Sequence, residues 1–114
     1  MTNITPFIAP ARAPAQVAFD RVELNAILNV YGRMVAEGEW RDYAIAMDRE
    51  ATVFSAFRRA SEHPEMQIVK RPALRFRQGL YALIGDGGVV LKRGHELSSV
   101  LAPLERRLLK LVDA

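Results

Sequence analysis

The chain contains no cysteine, and that one absence removes disulfides, thiolate metal sites and cysteine nucleophiles together while suiting a reducing compartment. It also lacks any apolar run approaching the roughly 20 residues that cross a bilayer. No transmembrane helix is expected, and the cytoplasm is the default location. Histidine is scarce: His63 precedes Pro64 in a loop-like stretch and His95 follows the last strand-like run. Neither has a second histidine close by, so a zinc site would have to gather carboxylates from distant segments, and no metal ligand is assigned. His95-Glu96 has no serine or cysteine nucleophile in a triad-like context, and a place at the start of a helix is its simpler reading. Gly85-Asp86-Gly87-Gly88 joins two strand-like runs without the lysine and hydroxyl that a phosphate-binding GxxxxGK[ST] loop requires. On these grounds no catalytic residue and no cofactor is assigned, and the chain reads as a non-enzyme.

What is present is the material of one small folded domain. Of 114 residues, 50% are hydrophobic and 25% charged, the balance of a globular chain with a single core. The first stretch, MTNITPFIAPARAPAQ, has prolines at 6, 10 and 14 that break a helix, and it lacks the basic start and continuous apolar centre of a secretory signal. Residues 1–16 therefore read as a flexible proline-containing arm and 17–114 as the domain. Net charge is +3, unevenly spread: residues 1–50 carry five basic and seven acidic side chains, residues 51–114 eleven and six. A basic second half suits a phosphate-bearing or otherwise anionic partner.

The local signals predict an α+β order. Asp20, with Glu23 three residues on, marks a helix start, and Phe19 is placed to staple against Leu24. Leu24, Ile27, Leu28, Tyr31, Met34 and Val35 recur at helical spacing, and Gly38 stands where a left-handed residue ends the helix. Gly32 lies inside it, and close approach of a strand would account for a residue without a side chain there. Tyr43–Met47 and Thr52–Arg58 then read as a hairpin, Met66–Arg71 as a third strand ended by Pro72, and Gly79–Ile84 and Val89–Lys92 as a pair around the glycine-rich turn. From His95 to Val112, Leu97, Val100, Leu101, Leu104, Leu108 and Leu111 share a helical face. Pro103 either kinks that helix or falls in its first turn. The expectation is an N-terminal helix, a four- or five-stranded antiparallel sheet and a C-terminal helix.

Two surfaces are candidates for function. The first is the cation set Arg58, Arg59, Lys70, Arg71, Arg75 and Arg77, interleaved with Phe57, Phe76 and Tyr81. Cationic side chains follow a phosphate backbone while aromatic faces stack on bases, which is how single-stranded nucleic acid is held. Lys92-Arg93-Gly94, before the last helix, adds two cations that could hold an anion. The second is the C-terminal helix, where Leu109 and Val112 widen the apolar surface beyond one narrow face. Together with the proline-containing arm, it suits a protein partner or self-association.

The segments LNVYGRMVAEGEWRDYAIAM, TVFSAFRRASEHP, IVKRPALRFRQGLYALI and VVLKRGHEL resemble a family of small alphaproteobacterial proteins catalogued as a domain of unknown function. The likeness spans about residues 17–111 and implies no activity or site residue. A run of antiparallel strands followed by a helix is also similar to the unit of Pur-alpha and related single-strand binders, by analogy of fold alone.

Overall fold

In the computed structural model, which describes residues 15–113, the first helix begins at a complete capping box. The Glu23 backbone N–H donates to the Asp20 carboxylate at 2.8 Å, and the Asp20 N–H donates back to Glu23 Oε1 at 2.7 Å, satisfying two amides that a helix start leaves without partners. Helix α1 runs from Arg21 to Ala36. It ends as the lone glycine suggested: Gly38 has φ +78°, its N–H reaches the Val35 carbonyl, and the Glu39 N–H reaches Met34, both at 2.9 Å. This paired closure satisfies the last carbonyls of the helix.

Five strands follow: β1 (Asp42–Met47), β2 (Thr52–Phe57), β3 (Met66–Lys70), β4 (Tyr81–Gly85) and β5 (Val90–Gly94), then helix α2 (Leu97–Asp113). The strands pair in sequence order, every pair antiparallel. The turn between β4 and β5 uses Gly87 and Gly88 at φ +76° and +81°, angles that only glycine adopts at little cost. Register places Phe54 opposite Ile68 and Ile68 opposite Leu83. These three meet Ile27, Val30 and Met34 of α1 and Val100, Leu101, Leu104 and Leu108 of α2 in one core. Because alternate residues of a strand point to opposite faces, a core drawn from one parity puts both helices on the same side of the sheet.

Three expectations are corrected, and the open alternative at Pro103 is resolved. The buried stripe of α1 is Glu23, Ile27, Val30 and Met34, whereas Val35 is exposed; the helix is rolled so that Val30, not Val35, meets the sheet. Gly32 has nothing within 4 Å of where a side chain would start, so no strand approaches it. The last helix begins at Leu97, which puts Pro103 past the first turn and inside it. Gly79 precedes β4 at φ +110°, where a Cβ would stand 2.7 Å from the Gly94 carbonyl oxygen. It is a close-approach glycine and not the start of a strand. The proline-containing arm lies almost wholly outside the described residues.

Candidate functional site

The strand residues that do not face the helices form a second sheet face, and its composition follows from register. One row runs Ala46, Val53, Val69, Ala82, Arg93 and the next runs Ala44, Ser55, Gln67, Ile84, Val90. Gln67 Nε2 donates to Ser55 Oγ at 3.0 Å, so the polar pair at the centre is satisfied within the sheet. The rest, apart from Arg93 at the β5 edge, is apolar. Among the described residues neither helix covers this face.

The segment between β3 and β4 folds over one end of it. Pro72 opens a short 3-10 turn to Leu74, and the Leu74 carbonyl accepts from the amides of Arg77, Gln78 and Gly79 at 2.9–3.1 Å. A single carbonyl gathering three amides makes a tight loop. Leu74 thereby comes down against Val69, Ala82 and Ile84, enclosing a shallow cavity of ≈ 150 Å³ that Arg71 and Arg93 also line. The same loop turns Phe76 outward, 90% exposed, with the Arg75 guanidinium 5.8 Å from its ring centroid and Arg77 next along the chain.

The structure therefore sorts the candidate cations. Arg71 and Arg93 line the cavity at one end of the open face, the Arg71 guanidinium 3.8 Å from the Glu50 carboxylate, and Arg75 and Arg77 lie on the loop beside it. Lys92 is exposed on β5 but opposite Leu83, on the helix side. Lys70 is turned inward, its ammonium 2.7 Å from Glu23 and 3.0 Å from the Ala18 carbonyl. Arg58 is paired with Glu65 at 2.5 Å, and Arg59 sits apart beside Trp40, Arg41 and Val35. Of the interleaved aromatics, Tyr81 is buried and donates its hydroxyl to Glu23, Phe57 is half-buried, and Phe76 alone is presented to solvent.

Two polar clusters had no counterpart in the sequence reading. In the first, Glu23 Oε1 accepts from Asp20 and Lys70 while Oε2 accepts from Tyr81. Burial opposes ionisation of Glu23, yet the hydrogen bonds from Lys70, Tyr81 and the Asp20 amide outweigh it and hold the carboxyl below its ordinary range. In the second, Glu65 accepts from the Trp40 indole at 2.5 Å, from Arg58 and from Arg107, which also grips Glu39 at 2.6 Å. Burial again works against the Glu65 carboxylate, and its donors again prevail. Each cluster joins a helix to the sheet and has its polar atoms satisfied, which is the signature of scaffold. Among the described residues no three acidic or histidine side chains converge as a metal-binding group.

A separate feature lies between the helices. Arg33 of α1 holds Glu105 of α2 through two bonds of 2.9 and 2.7 Å, and beside this fork runs a groove of ≈ 190 Å³ lined by Ala36, Leu108, Leu109 and Val112. Leu109 and Val112 are 64% and 65% exposed. Their positions on α2 turn them away from the sheet.

The chain belongs to the family described as "Protein of unknown function (DUF2794)", whose model matches residues 17–101. Comparison with curated proteins and with solved structures yields no match. Among the described residues no helix is long and apolar enough to cross a membrane.

Proposed function

We propose that this DUF2794 protein is a non-enzymatic binding module that engages single-stranded nucleic acid at the end of its open sheet face. The observation that supports this reading most directly is Phe76, exposed between Arg75 and Arg77 on the loop that borders the cavity of Arg71 and Arg93. A ring so exposed keeps a face open for stacking, and a base offers a π-face of matching size. Four guanidinium groups around the ring and cavity supply charge for phosphates, with planar forks that bind phosphate through paired hydrogen bonds. A cytoplasmic setting goes with this reading. The test is fluorescence anisotropy of labelled single-stranded DNA and RNA at low salt, with heparin as a polyanion that has no bases. Tight binding of both oligonucleotides, weakened by added salt and by Phe76→Ala, is expected. No binding at low salt would remove the proposal, and equal loss of heparin and oligonucleotide on Phe76→Ala would reduce it to a polyanion site.

A second reading rests on the interhelical groove. Exposed Leu109 and Val112 beside Ala36 and Leu108 suit the apolar side of a protein partner's helix, the usual way such grooves are filled.

A further inference from the structure

The two edges of the sheet are built differently. The β4–β5 ladder has a register shift at Leu83/Ile84, and β5 carries adjacent Lys92 and Arg93, two devices that discourage a further strand from joining. Strand β1 has neither. Its register against β2 runs unbroken from Asp42 opposite Phe57 to Met47 opposite Thr52, and Tyr43-Ala44-Ile45-Ala46-Met47 contains no charge and no proline. Every residue of β1 is exposed. On the helix side, where the inner strands are covered, Tyr43, Ile45 and Met47 remain 47%, 38% and 47% exposed.

The backbone of β1 is equally open. The Asp48 N–H donates to the Ala51 carbonyl at 2.9 Å, continuing the same register past the strand end. Antiparallel ladders alternate bonded and non-bonded pairs. Asp42, Ala44 and Ala46 thus turn their backbone groups toward β2, and Tyr43, Ile45 and Met47 turn theirs outward; past the strand end the Asp48 carbonyl accepts instead from the Val17 N–H at 2.8 Å. Among the described residues no strand pairs with them.

We infer that β1 pairs antiparallel with β1 of a second copy about a two-fold axis at Ile45, joining two sheets into one. The occupant follows from the strand's own symmetry. Centred on Ile45, the pairing sets Ile45 on Ile45, Tyr43 on Met47 and Ala44 on Ala46, so apolar meets apolar across these five residues. At each exposed end Asp42 of one copy faces Asp48 of the other, a like-charge pair that the apolar centre has to outweigh. Residues of equal parity meet, so Tyr43, Ile45 and Met47 of both copies fall on the helix side, where each lacks cover. The outward-facing residues are the ones that the axis matches, and each exchanges both backbone bonds with its counterpart. An isologous contact of this kind closes at two copies and leaves no unprotected edge, since the outer edges are both β5. The inference is independent of the proposed nucleic-acid site, which lies toward the opposite edge.

The test is sedimentation velocity of the full chain over a range of concentration. The wild type is expected to be a dimer, Ile45→Lys and Ile45→Glu each monomeric with unchanged far-UV circular dichroism, and their equimolar mixture a dimer again. Because the chain has no cysteine, Ile45→Cys provides a second measurement that leaves the fold intact: a short bis-maleimide should link it as a dimer and should not link Lys92→Cys. A monomeric wild type, a dimer that survives both charged variants, or one abolished by Leu109→Glu in the interhelical groove would overturn the inference.

Discussion

Tyr81 of β4 donates its hydroxyl to the Glu23 carboxylate of α1, so the residue that closes the capping box of the first helix also ties that helix to the middle of the sheet. Glu23 is 8% exposed. A carboxylate so placed stays ionised only because Lys70, Tyr81 and a backbone amide converge on it. The same contacts push the Tyr81 hydroxyl's pKa upward, with burial the larger cause and the neighbouring carboxylate the next.

Removing one member should expose that dependence. Lys70→Met leaves the buried carboxylate without its cation and is expected to cost about 3 kcal/mol, the low end for a broken buried pair, since Lys70 is still 16% exposed. Tyr81→Phe should cost about 1–3 kcal/mol through an unsatisfied oxygen. Urea unfolding measures both, and a Lys70→Met protein as stable as the wild type would show that the pair adds nothing.

Acid should unfold the protein through Glu23 and Glu65. Both carboxyls sit below their ordinary value of 4.5 in the folded state, so the folded chain binds fewer protons there than the unfolded chain. The stability they contribute is complete above the unfolded value and is lost as pH falls through the folded ones. The denaturation midpoint should hold steady down to 4.5 and decline below it, with a shallower decline in Glu65→Gln. A midpoint that does not change in acid would contradict this assignment.

Two glycines should answer oppositely to alanine. Gly32 is in a helix interior with open space around it, so Gly32→Ala should stabilise by up to about 1 kcal/mol. Gly79 has φ +110° and would place a Cβ 2.7 Å from the Gly94 backbone, which cannot yield as a side chain would. Gly79→Ala should cost about 3 kcal/mol or more. Thermal melts compare them directly, and a neutral Gly79→Ala would mean that the loop–strand contact is easily displaced.

Stacking and charge should separate at the proposed interface. Phe76→Ala is expected to lose about 1–3 kcal/mol of oligonucleotide affinity without altering its salt dependence. Arg71→Ala and Arg93→Ala should each lower the slope of log affinity against log salt by about 0.7. Salt titrations of each variant read this out. If Arg58→Ala and Arg59→Ala change the slope instead, the interface is at the other end of β2.

Much of this architecture is legible in a single pass along the chain because it is decided within a few residues. Asp20 and Glu23 form their box, Gly38 closes α1, and Gly87 and Gly88 turn β4 into β5, each through contacts that span a turn or less. The order of helix, antiparallel strands and helix follows from such signals and from periodicity. The roll of α1 toward Val30 depends instead on which neighbour it meets. The doubled cations show the limit most clearly. Lys70-Arg71 and Lys92-Arg93 are adjacent in sequence, but strand alternation sends each pair to opposite faces: Lys70 goes inward to Glu23, Arg71 and Arg93 to one cavity, and Lys92 to the helix side. Alternation alone could have separated each pair. That Lys70 would find Glu23 and Arg71 would find Glu50, and that Arg71 and Arg93 would line one cavity, was decided only when register and the loop of Phe76 brought distant segments together.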